Sequence, residues 1–314
     1  MIIPGYFLSI LLEMKDTELT QLETYIKHCR DHLSAGSVKT YRNVLKNLYE
    51  DVFGRDTAFN HKLFFADHVK VLKHLDGIKF NVRKTILSAI ICISKDEKPA
   101  VIELFRKQMM DDAQKYNTQE KENKMTDIQK ENWISWEDVM KTFEKLKEKV
   151  AWVLKAENPD RENLLELQKF VLLACYVLIP PRRAKDFSEM MSKGYDEKKN
   201  NYYHKGTFHF NDYKTAKFYG HQAVKVPKTL ELLLNRWIKK NPGEYLFSDY
   251  AEKKLTSASI SKILNSVFKK NISVNMLRHS YITDNLGPKI DELEEKAEEM
   301  GQSVAQQKLY VKNS

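Results

Sequence analysis

The chain has 314 residues, 42% of them hydrophobic, with 52 lysines and arginines against 43 acidic residues and a net charge of +9. Enough apolar residues are present for a core, which excludes a disordered chain. No uninterrupted apolar run reaches the length of about 18 residues that a membrane span needs. The basic excess fits a polyanion partner such as nucleic acid, and it equally fits an ordinary basic enzyme.

The three cysteines give no sign of a disulfide framework or of a CxxC zinc site. They are odd in number and far apart in the chain, at Cys29, Cys92 and Cys175. This usage favours a reducing, intracellular setting.

The first third of the chain predicts a helical domain. Residues 1–16 are apolar but lack a basic start and a cleavage site, so we expect a packing arm and not a signal peptide. Apolar residues then recur at helical spacing, which predicts five helices over residues 17–116. Ser37 is predicted to cap the second helix and Gly54 to end it, and Pro99 lies near the start of the fifth.

A polar, charged stretch over residues 117–132 is predicted to be the linker to a second domain, with one long solvated helix as the alternative. The second domain, residues 133–314, opens with an N-cap signal at Ser135. A strongly apolar helix should end at Pro180 and Pro181. Between these prolines and the later helices the period changes, and short antiparallel strands are predicted from the residues Tyr203, Phe208, Phe210, Val224 and Val226.

The stretch "SVNMLRHSYIT" places Arg278 and His279 among apolar residues. A buried charge is costly unless it is paired. Arg278 is therefore expected to hold either a carboxylate of the protein or a phosphate supplied by a partner.

Five short motifs occur in a fixed order, namely "PPRRAKDF", "YKTAKFYG", "NMLRHSYIT", "MGQS" and "KLYVK". In this order they resemble the catalytic domain of the tyrosine recombinases, the phage-integrase family, over residues 127–314. The wording of "PPRR" and "YKTAK" is closest to integrases of large eukaryotic DNA viruses and their satellite elements. The resemblance implies a mainly α-helical fold with a small antiparallel β-sheet, preceded by a helical core-binding domain.

The resemblance also implies roles for the two arginine motifs. Arg183, which precedes the acidic Asp186 by three positions, matches the family's first arginine and would hold the scissile phosphate. Arg278 matches the second arginine, which holds the same phosphate from the opposite side. Two guanidinium groups would neutralise the charge that grows on phosphorus in the transition state. Asp186 would support the first arginine, and His279 is expected to pack and to form hydrogen bonds.

The remaining motifs match the family's acid and nucleophile. Lys214 lies between two strand-like runs and would protonate the departing 5′ oxygen, with Lys217 as the second candidate. Tyr310 would be the nucleophile and would form a 3′-phosphotyrosyl link. Because arginines carry the phosphate charge, neither a metal nor another cofactor is expected.

Two positions depart from the family pattern. Asn275 stands where the family has histidine or lysine, and Gln302 where it has histidine or tryptophan. An amide can contact a phosphate oxygen but cannot carry a proton at neutral pH. His204, His209 and His221 are candidates to compensate.

The function implied is that of a site-specific DNA recombinase or integrase acting without ATP. Its partner would be double-stranded DNA, bound by a homotetramer that is a monomer or dimer when free. It would act at DNA inside the cell, in the nucleus or in a virus-infected host. The alternative, which Asn275 and Gln302 favour, is a DNA-binding protein that kept the fold and lost the chemistry. A third interpretation treats the motifs as chance occurrences in a basic helical protein.

Overall fold

A computed structural model describes residues 18–121 and 124–311, so the arm predicted at residues 1–16 lies outside the described residues. The chain divides into two compact units, residues 1–124 and 125–314. The division falls within residues 117–132. The chain is mainly α-helical with one small antiparallel sheet, which confirms the predicted fold class. In the described ranges no helix combines the length and the apolar character needed to cross a membrane.

The first unit is built of helices only, as far as it is described. Their bounds are α1 18–29, α2 Ala35–Phe53, α3 Leu63–Ala66, α4 His68–Asp76, α5 Phe80–Cys92 and α6 Pro99–Lys121. Helix α5 packs against both α2 and α6 around an apolar core.

Two predicted helix boundaries in this unit are confirmed and one is wrong. Gly54 ends α2 with a positive φ of 95°, and Pro99 begins α6. The cap of α2 is Ser34 and not Ser37, because the Ser34 side chain accepts a hydrogen bond from the backbone N–H of Ser37. Helix α2 therefore begins earlier than the sequence predicted.

The segment predicted as a linker contains helix on both sides of its undescribed residues. Helix α6 runs through Lys121, and a short helix, α7 (Asp127–Asn132), follows. The side chain of Thr126 caps α7 in a capping box with Gln129. These short-range hydrogen bonds explain why a polar stretch with few apolar residues is nevertheless helical.

The first unit also contains a closed, buried ion pair. The Arg83 guanidinium donates through Nε and Nη2 to the two carboxylate oxygens of Asp112, at 2.7 and 2.6 Å. Its Nη1 donates to the carbonyl of Leu75 at 3.1 Å. Burial raises the pKa of Asp112, but the hydrogen bonds and charge of Arg83 outweigh it, and the net pKa is lowered. This pair joins α5 to α6.

The second unit combines helices with the sheet. After α7 its helices are α8 Trp136–Lys155, α9 Arg161–Val177, α10 Ala184–Ser188, α11 Ala216–Tyr219, α12 Lys228–Lys240, α13 Ser257–Phe268, α14 Val274–Tyr281, a π-helix Ile282–Leu286, α15 Gly287–Glu299 and α16 Val304–Tyr310. Ser135 caps α8 by accepting from the N–H of Asp138, as predicted. Helix α9 is central and packs against α8, α12 and α13.

The three strands form one antiparallel sheet in the order β1 (Tyr202–His204), β2 (Thr207–Phe210), β3 (Gln222–Lys225), which confirms the predicted strands. A two-residue turn joins β1 to β2, and both of its residues have positive φ, 43° at Lys205 and 77° at Gly206. Such a turn matches the twist of a hairpin. A longer connection, residues 211–221, joins β2 to β3 and carries α11.

The last two helices bury little. In α15 Ala297 is the one buried residue, whereas Ile290 and Leu293 are 42% and 50% exposed. Helix α16 has no buried residue and packs on α15.

Candidate functional site

The first arginine pair lies where α9 has ended and α10 begins. Pro180 and Pro181 stop the chain from continuing as helix, and Arg183 then occupies the N-cap position of α10 with extended backbone. Asp186 lies on α10 and is buried. The sequence spacing therefore places one or two guanidinium groups beside a buried carboxylate.

Arg182 is the arginine that bonds Asp186. Its Nε donates to Asp186 Oδ2 at 2.8 Å, and its Nη2 donates to Gln222 Oε1 on β3 at 3.1 Å. The guanidinium carbon lies 3.8 Å from the centroid of the Phe210 ring, a cation–π contact. Arg182 thus has two side-chain acceptors and a ring contact within the protein, and it joins α10 to the sheet.

Arg183 and Arg278 differ from Arg182 because neither has an acceptor. Both side chains are half-buried, and neither donates a hydrogen bond or forms an ion pair within residues 18–121 and 124–311. Oδ1 of Asp186 is also buried without a hydrogen-bonding partner. The arrangement leaves two cationic groups beside one partly satisfied carboxylate.

The charges of Arg183, Arg278 and Asp186 act on one another. Burial lowers the pKa of Arg278, and the Arg183 guanidinium lowers that pKa further, whereas Asp186 raises it. Burial raises the pKa of Asp186, and the charges of Arg182, Arg183 and Arg278 oppose that shift without cancelling it. Folding therefore brings Arg183 and Arg278, almost a hundred positions apart in the chain, close enough for their charges to act on each other.

Helix α14 presents Arg278. Ser273 caps this helix by accepting from the N–H of Met276, and Met276 and Leu277 are buried in the core. Asn275 is exposed and precedes Arg278 by three positions, which places both on one helix face. His279 is exposed and forms no hydrogen bond within the described residues, so the expectation that it packs and bonds is wrong.

Lys214 lies in the connection between β2 and β3, just before α11. Its side chain is exposed and has no hydrogen bond or ion pair in the described part of the chain. Two neighbouring residues are anchored: Tyr213 is buried and donates from its hydroxyl to the carbonyl of Gly220 at 2.7 Å, and Asp212 pairs with Lys185 of α10 at 2.6 Å. Lys217, the second candidate, lies on α11 with its Nζ over the ring of Phe218.

Gln302 and Tyr310 belong to the C-terminal helices. Gln302 is half-buried between α15 and α16, and its backbone N–H donates to the carbonyl of Ala297. Tyr310 is the last residue of α16 and is 67% exposed. No hydrogen bond or ring contact among the described residues joins Tyr310 to Arg183 or Arg278. Its phenol is accessible to solvent, and no contact within the described residues fixes its position relative to the two arginines.

The histidines considered as compensation lie on the sheet. His209 Nδ1 and His221 Nε2 are 3.2 Å apart, within hydrogen-bonding distance, and His204 Nδ1 is 2.7 Å from the hydroxyl of Tyr195. Burial lowers the pKa of His209, and the neighbouring His221 and His204 lower it further. None of the three is hydrogen-bonded to Arg183 or Arg278 in the described ranges. Those ranges also contain no cluster of three His, Cys, Asp or Glu side chains suited to a metal ion.

Sequence reasoning missed two residues that organise the site. Arg182 was given no role in the sequence interpretation, yet its side chain is the one that bonds Asp186. Asn201, a buried residue just before β1, was not considered. A lone asparagine in a polar stretch carries no local signal of its contacts.

Comparison with known proteins finds similarity among solved structures. No family model matches the chain, and no curated protein matches it. Among solved structures, a crystal structure of XerA recombinase aligns over 86% of this chain and 84% of that one, with 11% sequence identity and a TM-score of 0.35. Because both values are low, we argue function from the residues of the site alone.

Proposed function

We propose that residues 125–314 cut and rejoin DNA strands, with Arg183 and Arg278 holding the scissile phosphate. The observation that carries this proposal is the pair of half-buried guanidinium groups that lack an acceptor within the described residues. A partly desolvated cation without a partner is unfavourable, and an anionic ligand removes that cost. Phosphate oxygens match the planar fork of a guanidinium, so two arginines can hold one phosphodiester from two sides.

The chemistry follows from the remaining side chains. The phenol oxygen of Tyr310 attacks phosphorus, the bond from phosphorus to the 5′ oxygen breaks, and a 3′-phosphotyrosyl ester forms. The phenol proton passes to solvent water as attack proceeds, and the departing 5′ oxygen takes a proton from the Lys214 ammonium. The ester keeps the bond energy, so the reverse steps rejoin the strands without ATP. Asn275, one helical turn before Arg278, can donate a hydrogen bond to a phosphate oxygen.

The substrate in this proposal is double-stranded DNA held by several copies of the chain. Lysine and arginine contacts to phosphates release counterions, so affinity should fall steeply as salt concentration rises. Four copies would pair two duplexes, which is the arrangement that exchange of strands requires. Such an enzyme, of the type found in DNA viruses, would join or separate DNA molecules.

A covalent trapping experiment tests the proposal. Supercoiled plasmids with randomised inserts are incubated with the protein in EDTA without ATP, and the mixture is then denatured with detergent. We expect relaxed plasmid and a protein–DNA adduct whose digestion yields a phosphotyrosine peptide containing Tyr310. The sequences recovered from the adduct define a cleavage site for later duplex substrates.

Substitution of the nucleophile provides the control. Tyr310→Phe should abolish the adduct, whereas Tyr250→Phe, at a tyrosine that is 71% exposed, should leave it unchanged. An adduct that survives Tyr310→Phe would remove this residue from the role. A wild-type protein that binds DNA but neither relaxes plasmid nor forms an adduct would be a DNA-binding protein without the chemistry, and the proposal would be wrong.

A further inference from the structure

The side-chain amide of Asn201 forms hydrogen bonds to two parts of the candidate site. Its Nδ2 donates to the carbonyl of Asp186 at 3.2 Å and to the carbonyl of Asp212 at 2.7 Å. Its Oδ1 accepts from the backbone N–H groups of Asn211 and Asp212 at 2.8 and 2.9 Å. An amide side chain has two donor hydrogens and two lone pairs, and here all four are used.

These four hydrogen bonds join α10 to the connection between β2 and β3. Asp186 belongs to the helix that Arg183 caps, and Asp212 precedes Lys214 by two positions. Asn201 itself is 4% exposed, and its backbone carbonyl accepts from the N–H of Met191 at 2.8 Å. A buried and saturated amide is a rigid bridge, because any displacement of one side leaves a buried polar group unpaired.

Only asparagine fits this bridge. Aspartate has nearly the same shape but lacks the two donors, and it would set a carboxylate against the carbonyls of Asp186 and Asp212. Alanine would leave four backbone groups without partners. The Lys185–Asp212 ion pair joins the same two elements at the surface, where an ion pair contributes little.

We propose that Asn201 is a positioning residue that holds the backbone before Lys214 at a fixed place relative to Arg183. The inference rests on the proposed function, in which Lys214 protonates the 5′ oxygen of a phosphate held by Arg183. Misplacing a catalytic group by about 1 Å can cost on the order of 100-fold in rate. Loss of Asn201 should therefore affect protonation of the leaving group and should leave phosphate binding intact.

The test compares two leaving groups on duplexes that carry the recovered cleavage site. In one the 5′ bridging atom is oxygen, and in the other it is sulfur, which leaves without a proton because thiols have a pKa of only about 8.5. Asn201→Asp should slow cleavage of the oxygen substrate on the order of 10- to 100-fold. Both Asn201→Asp and Lys214→Ala should cleave the sulfur substrate within about threefold of the wild-type rate.

The matched control is Asn200→Asp, at the adjacent residue. Its side-chain oxygen accepts from the N–H of Asp196, a contact that aspartate preserves. Asn200 contacts the β2–β3 connection through its backbone carbonyl, which accepts from Asn211 Nδ2 at 2.7 Å and is kept in the variant. This variant should cleave both substrates like the wild type. Lys185→Met removes the surface ion pair with Asp212 and leaves the core intact. It should slow cleavage of the oxygen substrate less than Asn201→Asp does, and it should leave cleavage of the sulfur substrate unchanged. Equal losses on both substrates for Asn201→Asp, or no loss, would overturn the proposal.

A second measurement does not depend on DNA cleavage. Trypsin should cut after Lys214 or Lys217 on the order of tenfold faster in Asn201→Asp than in the wild type or in Asn200→Asp, because the connection opens more often. Unchanged digestion would contradict the bridge itself. If the wild type fails to cleave DNA, the proposed function is wrong, and digestion still decides whether Asn201 holds the connection.

Discussion

Each unit contains arginines beside a buried aspartate, and the two sites are built in opposite ways. In the first unit Arg83 donates from Nε and Nη2 to the Asp112 carboxylate and from Nη1 to the carbonyl of Leu75. Both carboxylate oxygens of Asp112 therefore have a partner. In the second unit Asp186 is bonded by Arg182 alone and keeps one buried oxygen without a partner. Arg183 and Arg278 lie beside Asp186 without acceptors in the described residues.

Under the proposed function, the difference separates a structural arginine from one that is available to bind a ligand. A buried ion pair is costly to break, because removing one partner leaves an uncompensated charge. A guanidinium without a protein acceptor contributes no such pair, so its removal should affect ligand binding and spare the fold. Saturation of hydrogen-bonding groups, and not burial alone, therefore distinguishes the two kinds of site.

The largest expected effect is on stability. Arg83→Met should lower the free energy of unfolding of the first unit by about 3–5 kcal/mol, because Asp112 stays buried without its partner. Arg278→Met should change the stability of the second unit by less than about 1 kcal/mol. All four tryptophans, Trp133, Trp136, Trp152 and Trp237, lie in the second unit, so tryptophan fluorescence follows that unit and circular dichroism follows both. Equal losses of stability in Arg83→Met and Arg278→Met would contradict the distinction between a structural arginine and a ligand-binding one.

For cleavage activity the order should be reversed, with Arg278→Met affected more than Arg83→Met. Arg278→Met should slow formation of the covalent adduct by about 10²–10³, the usual cost of losing one donor to a transition-state oxyanion. Arg83→Met, assayed below its melting temperature, should react at the wild-type rate. Single-turnover rates on the recovered duplex measure both, and a comparable loss in Arg83→Met would contradict the assignment of roles.

The two aspartates should give opposite dependences of stability on pH. The pKa of Asp112 is lowered, so its contribution is present above the ordinary value of 3.8 and is lost as pH falls through the folded-state pKa. The pKa of Asp186 is raised, so the folded state binds the proton more tightly than the unfolded state does. Stability of the second unit should therefore fall as pH rises from 3.8 to that raised pKa, and then level off.

Melting curves across this acidic range check both signs. Asp112→Asn should remove the loss of stability in acid, and Asp186→Asn should remove the loss on raising the pH. The same sign for both residues would show that Asp186 is as well paired as Asp112.

The smallest effect is stabilisation by a simple anion. Pyrophosphate at ten times its Kd should stabilise the second unit by about 1.4 kcal/mol, read from tryptophan fluorescence at constant ionic strength. Arg183→Met should abolish this gain. Arg161→Met, at an arginine already paired with Glu252, should retain it. Full stabilisation of Arg183→Met would place the anion elsewhere.

Sequence succeeded where local chemistry decides the structure. Gly54 and Ser135 act through their own backbone and side chain within one turn, and the strands follow from alternating apolar residues. The prediction for Ser37 failed because Ser34 offers the same hydroxyl one turn earlier, and the two compete for one role.

The site itself was only partly predictable. The motif order indicated Arg183 and Arg278, but the state of Arg182 depends on Phe210 and Gln222, which the sheet brings to it from distant positions. Asn201 depends in the same way on carbonyl and N–H groups of two separate segments, and backbone groups leave no trace in sequence. His279 was expected to pack because it matches a histidine that packs in the recombinase family, yet its side chain is exposed on α14.

Helix α15 has a consequence for how the tyrosine is delivered. A helix of this length is marginal in water unless packing supports it, and Ala297 is its one buried residue. Its amide hydrogens should exchange with solvent far faster than those of α9, which is buried along most of its length. The segment that carries Tyr310 thus follows a helix with a single buried residue, so in the proposed reaction little packing free energy would oppose movement of the phenol onto a substrate.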